Sequence, residues 1–309
     1  MRSRSTTLLA SFTLAGLVAL AGCSRSSTAP GGASSRPQVI QNKGSDTMVN
    51  VAQAWAEAYQ KVAQDANVEV SGGGSGVGIA ALIKGTVDIA NASRDMKPAE
   101  KEAAVKNTGK APKEFTVGYD ALAIYVHKDC PLNEISLAQL AAIYGEEGTI
   151  TRWSQLGVTL AGVSDDTIVR VSRQSSSGTY EFFREHVLYK KDFKLGSRDM
   201  NGSKEVVELV ASTPMAIGYS GMGYATPAVK MLPVAVKEGE PAVVPTVENA
   251  RAKRYPLARS LHMYTLDEPS GAIRAYIDWI LSPPGQAVLE ESGYVPMMAA
   301  GHGEQPAQP

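Results

Sequence analysis

Short β-like segments alternate with helical segments over most of the chain. Residues 51–64 (VAQAWAEAYQKVAQ) place Trp55 and Tyr59 at helical spacing, which predicts an amphipathic helix. Residues 115–127 (FTVGYDALAIYVH) form a long β-rich run. Because strands alternate with helices, the expected fold class is α/β with largely parallel sheets. We predict strands at 39–42, 68–71, 87–92, 115–127, 168–172, 215–219 and 260–265, and helices at 51–64, 79–84, 98–106, 137–145, 180–188, 203–211 and 271–281.

Residues 1–22 are typical of an export signal. Arg2 and Arg4 give a positive start, and residues 8–20 form an apolar run that is too short for a comfortable membrane span. The run ends in Leu-Ala-Gly-Cys, which resembles the bacterial lipobox. In that class of signals, cleavage falls before the cysteine and its thiol is lipidated. We therefore expect a lipid anchor at Cys23; the alternative is an ordinary signal peptide followed by an accidental cysteine.

Composition narrows the possible classes of protein. The length of 309 residues suggests about two domains, and an apolar fraction of 44% makes a disordered chain unlikely. The polar segment 23–37, which carries no apolar periodicity, is expected to be a flexible tether. A formal net charge of −1 argues against a broad basic face for nucleic acid. Two cysteines and four histidines exclude a disulfide-dense scaffold and leave little for a zinc site.

Small hydroxyl residues and glycines gather at four turns that follow predicted strands. Such a turn can place backbone N–H groups and a hydroxyl at the start of a helix, where unsatisfied donors and the helix dipole favour an anion. Arg94 and Arg173 add charge-assisted donors that suit a tetrahedral oxyanion. A single turn of this kind is more often a simple helix cap, so the prediction of an anion site rests on all four together. The turns are 44–47 (GSDT), 72–76 (GGGSG), 93–95 (SRD) and 173–179 (RQSSSGT).

Competing motifs fail on their spacing. Residues 76–81 satisfy a loose G-x-G-x-x-A, but the next strand ends near Ala92 and is not followed by the acidic residue of a dinucleotide site. The chain contains no G-x-x-x-x-G-K-[ST] phosphate loop. Ser75 and Ser220 each lack the second glycine of the G-x-S-x-G element of serine hydrolases. A hydrolase therefore has no supporting motif.

The motifs jointly resemble one known family, the substrate-binding lipoproteins and periplasmic proteins of phosphate ABC transporters. The resemblance covers about residues 39–298 and is specific in the order and spacing of the motifs. The most diagnostic is an arginine followed by a Ser/Gly run that opens a helix. The motifs begin at residue 44 (GSDTM), 71 (SGGGSGVGI), 90 (ANASRDM), 173 (RQSSSGTYEFF), 213 (TPMAIGYSG), 255 (YPLARSLHMYT) and 280 (ILSPPGQAVLEESGYVPM).

The resemblance implies a two-lobed periplasmic-binding-protein fold of type II. Each lobe would be a mixed, mostly parallel sheet flanked by helices, and two crossover segments would let the lobes close over a ligand like a hinge. We place the crossovers near 117–120 and 220–225. Lobe one is then expected to comprise 38–118 and 226–309, and lobe two 119–225.

The resemblance also implies which residues bind the anion. In relatives, an Asp at the position of Arg94 accepts the proton of hydrogen phosphate, so the acceptor in this chain is open. Asp46 is the first candidate, Asp120 the second and Asp95 the third. No catalytic residue, metal or cofactor is expected. The expected phosphate-binding residues are Ser45, Asp46, Thr47, Ser75, Arg94, Arg173, Ser177, Gly178 and Thr179.

The function implied is high-affinity capture of inorganic phosphate outside the cytoplasmic membrane, with delivery to the membrane permease of an ABC importer. The protein would perform no chemistry, act as a monomer and bind no nucleic acid. Its lipid would hold it to the cell membrane or the outer membrane, facing the periplasm or the cell exterior. Two alternatives stay open: a binding protein for another oxyanion (sulfate, molybdate or tungstate) or a phosphate sensor, and, less favoured, a phosphoester hydrolase.

Overall fold

The computed structural model describes residues 38–297. The predicted signal segment, Cys23, the tether and the end of the chain lie outside these residues. Among the helices of the described part, none is long and apolar enough to cross a membrane.

Every strand and helix predicted from the pattern is present, with ends that differ by a few residues. The first half of the chain forms β1 (Gln38–Gly44), α1 (Val49–Gln60), β2 (Ala66–Ser71), α2 (Ser75–Ile83), β3 (Ile89–Ala92), α3 (Pro98–Thr108), β4 (Pro112–His127), β5 (Ile135–Ser136) and α4 (Leu137–Tyr144). The second half forms β6 (Val169–Arg173), α5 (Gly178–His186), β7 (Arg198–Met200), α6 (Ser203–Ser212), β8 (Ala216–Gly221), β9 (Val229–Leu232), β10 (Val234–Ala235), α7 (Val247–Arg251), β11 (Ala258–Leu266), α8 (Gly271–Leu281) and α9 (Pro283–Glu291).

The strands form a mixed sheet that confirms the α/β class. Its order is β2-β1-β3-β11-β4-β8-β6-β7, and β9 also pairs with β4. At one end β1 lies parallel to β2 and β3, and at the other β6 lies parallel to β7 and β8. The strands between these parallel groups, β11 and β4, run antiparallel to their neighbours. The sheet is therefore less parallel at its centre than the alternation of elements suggests.

Strand β4 is shared by both ends of the sheet. Its residues up to Ala121 pair with β11, and its residues from Leu122 onward pair with β8 and β9. All residues from Asp120 to Val126 are buried, which explains the long apolar run in the sequence. The chain thus passes from one half of the sheet to the other at Ala121–Leu122.

Each half has its own hydrophobic core. Ile40, Trp55 and Ile277 belong to the first core, where the Trp55 indole also donates a 2.7 Å hydrogen bond to the backbone oxygen of Gly285 at the start of α9. The second core lies around the end of β4, α4 and α5. It includes Leu232, Val234, Ala250, Tyr255 and Leu257.

Residues 226–257, which the sequence places in lobe one, pack with the second core, since β9 pairs with the end of β4 and β10 pairs with β5. The change of packing partner comes instead where β11 begins. The lobe boundaries stay a prediction, and the strand pairing favours a second crossing at Leu257–Arg259. We accordingly propose that lobe one comprises 38–121 and 258–297, and lobe two 122–257.

Candidate functional site

The first three turns meet at one edge of lobe one, because β2, β1 and β3 are parallel neighbours whose carboxyl ends lie side by side. The Ser45 hydroxyl donates to the Ser93 hydroxyl at 3.0 Å, and the Ser93 N–H donates to the Ser75 hydroxyl at 3.1 Å. The three side chains are buried. Ser93 belongs to a predicted turn, but no role was expected for it; it links the other two serines.

The fourth turn, from lobe two, faces these serines. Ser177 caps α5 by accepting a 3.1 Å hydrogen bond from the Thr179 N–H. A Cβ atom on Gly178 would lie 2.3 Å from Oγ of Ser75 and 2.7 Å from Oγ of Ser93. Only glycine therefore allows the start of α5 to approach lobe one this closely. Thr179 and Thr47 complete the contact, with their hydroxyl oxygens 2.8 Å apart.

Arg173, the last residue of β6, is fully buried and joins the first turn to the fourth. Its Nη2 donates to Oδ2 of Asp46 at 2.9 Å and to the backbone oxygen of Asn201 at 2.8 Å, and its Nη1 donates to Oγ of Ser203 at 2.9 Å. Its Nε, also buried, has no hydrogen-bond partner among the described residues. The guanidinium therefore has one buried N–H donor, beside the cluster of turns, that no described residue accepts.

Asp46 accepts on both oxygens, since Oδ1 also takes a 2.7 Å hydrogen bond from the Gly73 N–H. Burial raises the pKa of the Asp46 carboxyl, and the Gly73 N–H and the positive charge of Arg173 partly oppose this rise. The carboxylate is therefore largely removed from water and is stabilised by the Gly73 N–H and Arg173, and it lies where the two lobes touch.

Arg94 has a different set of partners from the other predicted site residues. Its two terminal nitrogens bond both oxygens of Glu100, at 2.9 and 2.7 Å, and Nη1 also bonds the backbone oxygen of Asp95. The Asp95 carboxylate is exposed and lies 3.1 Å from Nε2 of His262. In the described structure, Arg94 thus holds the third turn against the start of α3, and its predicted contact with the anion stays a prediction.

Asp120 is fully buried and pairs with Arg259, a residue to which the sequence assigned no role. Oδ2 of Asp120 accepts from Nε and Nη2 of Arg259 at 3.0 and 2.7 Å. The other faces of the same guanidinium donate to Oγ1 of Thr179 and Oγ1 of Thr47, both at 3.1 Å. The available signal was its place in the YPLARSLHMYT motif, where it is the one charged residue.

An open cleft of about 920 Å³ lies beside the third turn and is lined by both lobes. Lys97 at the start of α3 and Glu181 of α5 form a 3.2 Å ion pair across it. Backbone groups also bridge the lobes, since the Gly76 N–H donates to the carbonyl of Ser176 at 2.9 Å. The structure therefore presents the two lobes in contact along the cluster of turns.

Comparison with known proteins agrees with this architecture. A family model described as a PBP superfamily domain matches residues 31–284. The phosphate-binding protein PstS of Pseudomonas aeruginosa PAO1 is 34% identical over 270 residues, which cover 84% of this chain and 83% of the relative. The chain belongs to the PBP superfamily, in the family of this PstS protein. The family membership and the two-lobed fold expected from the motifs are thereby confirmed.

Solved structures of the PBP superfamily show the same fold. A Clostridium perfringens protein described as a phosphate ABC transporter substrate-binding protein, crystallised with bound phosphate, superposes with a TM-score of 0.74 at 30% identity and covers 84% of this chain and 100% of its own. An ABC-type phosphate transport receptor from Vibrio cholerae gives a TM-score of 0.65 at 27% identity, with coverages of 83% and 99%. The likeness extends over nearly the whole of each neighbour.

Proposed function

We propose that this protein captures inorganic phosphate outside the cytoplasmic membrane and delivers it to the permease of an ABC importer. The observation that carries the proposal is the convergence of four Ser/Thr-Gly turns and a buried arginine between two lobes. The names of the PstS relatives and the phosphate-bound neighbour support the choice of anion. We infer capture by lobe closure in a monomer, without catalysis and without a cofactor.

The proposed site binds the anion with local donors. The first turns of α2 and α5 lie against each other, so the partial positive charges of both helix starts act at one place. The buried hydroxyls of Thr47, Ser75 and Thr179 are the proposed side-chain donors there, and Arg173 is the proposed positive charge. Because the whole chain carries a formal charge of −1, attraction by a broad positive field is not available to it. Ser45 and Ser177 act indirectly: Ser45 bonds Ser93, and Ser177 caps α5.

Asp46 is the best-placed acceptor for the proton of hydrogen phosphate. Asp95 is exposed and faces His262, and Asp120 is fully buried in an ion pair with Arg259, which places two hydrogen bonds on its Oδ2. Asp46 lies in the first turn beside Thr47, stays partly exposed, and accepts a single hydrogen bond on each oxygen, so each oxygen keeps a lone pair. Sulfate has no proton to donate at neutral pH, so a desolvated carboxylate would repel it without a compensating hydrogen bond. This supports phosphate over the other oxyanions.

Titration calorimetry of the protein from residue 24 onward tests the proposed function. Bound phosphate is first removed by unfolding, dialysis and refolding. We expect tight binding of phosphate, at least a thousandfold tighter than sulfate or molybdate, because a site built to accept a substrate's proton rejects ligands that lack it. If sulfate or molybdate bound more tightly than phosphate, that anion would be the ligand and the assignment of phosphate would be wrong. Turnover of a chromogenic phosphate ester would instead indicate an enzyme.

Asp46→Asn is expected to narrow the gap between phosphate and sulfate. A hydrogen bond to a charged group contributes about 1.5–3 kcal/mol, so phosphate affinity should fall roughly 10- to 150-fold. Sulfate affinity should rise or stay the same, because the repelling charge is gone. Calorimetric competition of the two anions measures both changes. Asp95→Asn is the matched control and should alter neither; unchanged selectivity in the Asp46 variant would exclude it as the acceptor.

Gly178→Ala is expected to prevent the lobes from closing. The added methyl group would overlap the hydroxyls of Ser75 and Ser93, so the start of α5 must retreat. Phosphate affinity should drop at least tenfold, with a larger radius of gyration in small-angle scattering at saturating phosphate. Gly157→Ala is the control, because it also replaces a glycine, at a position with φ 69° and no neighbouring atoms. It should leave both the phosphate affinity and the radius of gyration unchanged. Wild-type affinity in the Gly178 variant would show that close approach is unnecessary.

We propose export and lipid anchoring through Cys23, from the lipobox-like sequence before it. The lipid would keep the binding protein at the membrane that carries its permease. Cys23→Ala should leave the signal uncut by lipoprotein processing and abolish metabolic labelling with palmitate. Cys130→Ala is the control, because this buried thiol should not affect labelling. Labelling that persists in the Cys23 variant would contradict the anchor.

A further inference from the structure

A buried ion pair lies at the two places where the chain passes between the proposed lobes. Asp120 is on β4 next to the passage at Ala121–Leu122, and Arg259 is the second residue of β11. The two residues are directly opposite each other in the antiparallel β4–β11 pair. Both are almost completely buried, at 0% and 5% exposure. Removing two charges from water can cost more than their attraction returns even when they are paired, so stability alone explains this position poorly.

The guanidinium of Arg259 reaches one threonine from each lobe. It donates to Oγ1 of Thr47 in lobe one and to Oγ1 of Thr179 in lobe two, both at 3.1 Å. These contacts exist together only while the lobes are in contact, since the threonine hydroxyls are then 2.8 Å apart. Arg259 therefore bonds a pair of groups that only the closed arrangement assembles.

The bonds from Arg259 also determine what the threonine hydroxyls can do. A hydroxyl has one proton to donate and two lone pairs that accept. When a cation occupies a lone pair on each threonine, both hydroxyl protons are directed away from it, and one of them forms the 2.8 Å bond to the other threonine. The threonine that accepts this bond has both lone pairs occupied, so its own proton is left to donate, which is the role an oxyanion requires. Asp120, bonded on another side of the guanidinium, neutralises its charge and fixes its plane.

We propose that Arg259 is a positioning residue for anion capture: it orients the hydroxyl pair of Thr47 and Thr179 so that one of the two donates to the anion, and it holds the two lobes closed through them. This role rests on the proposed phosphate site. It differs from the role of Asp46, because orienting hydroxyl donors serves phosphate and sulfate alike. Arg259 thus contributes affinity and slow release, and leaves selectivity to the first turn.

Arg259→Lys tests the role while keeping the charge that Asp120 needs. A single ammonium group cannot bond Asp120 and both threonines in the fork geometry of a guanidinium. We expect phosphate to bind about tenfold more weakly or worse, mainly through faster dissociation in stopped flow, with an unchanged ratio of phosphate to sulfate affinity. Arg274→Lys, an exposed pair with Asp278, is the matched control and should bind as the wild type does.

A double-mutant cycle with Thr179→Val separates positioning from a general structural effect. If Arg259 acts through the threonine, the loss of phosphate affinity in the double variant should be clearly smaller than the product of the two single losses. Multiplicative losses, or a changed phosphate-to-sulfate ratio in Arg259→Lys, would overturn the role. Circular dichroism and the melting temperature confirm that each variant is folded.

Should Arg259→Lys not fold, the neutral pair Asp120→Asn/Arg259→Gln takes its place, since it leaves no buried charge unpaired. The same loss of affinity with retained selectivity is expected from it, and wild-type affinity would overturn the role. A wild-type chain that binds no phosphate would instead overturn the proposed function, and this role with it. A wild type that binds phosphate together with multiplicative losses in the cycle would overturn the Arg259 role alone.

Discussion

An anion that is enclosed between two lobes loses its water, and the protein must replace each lost hydrogen bond with a donor of its own. In the site proposed for this chain, the donors are mostly uncharged: hydroxyls, and backbone N–H groups at the starts of helices. Such donors work only at short range, so both lobes have to approach the same point closely. The glycines of the second and fourth turns meet that demand. A side chain on Gly74 would lie 2.6 Å from the carbonyl of Ser176, and one on Gly178 would overlap Ser75.

The sheet brings these donors to one place by its topology. Parallel strands put the carboxyl ends of β1, β2 and β3 at one edge, and the carboxyl end of β6 brings the fourth turn from the other lobe. The antiparallel strands β4 and β11 connect the two halves, so any rotation of one lobe against the other acts on them. A buried charge pair on these strands, whose remaining donors bond a threonine from each lobe, connects the proposed hinge directly to the proposed ligand site.

Local pattern predicts the fold well and predicts only part of the site. Periodicity predicted most of the long strands and helices but missed the nine-residue α9, whereas β5 and β10, two residues each, and the five-residue α7 are too short to show any. The lobe boundary depends on the pairing of β9 with β4, and the sequence around residue 229 does not show which strand β9 pairs with. Similarly, the Asp120–Arg259 contact joins residues 139 positions apart. The link between Arg94 and Glu100 is local, and an acidic residue in the first turn of α3 was a usable signal.

Arg94 shows how one substitution redistributes roles within a site. The resemblance leads one to expect a carboxylate at this position, and a carboxylate there would accept the proton of the ligand. An arginine cannot accept, and here Glu100 neutralises it, so the third turn contributes its buried serine and no unpaired positive charge. The proposed acceptor therefore lies in the first turn, where Asp46 is a partly buried carboxylate in contact with the buried arginine of lobe two. In the proposed site, binding selectivity and lobe closure would both depend on Asp46, since the carboxylate that would receive the proton also bonds Arg173 of the other lobe.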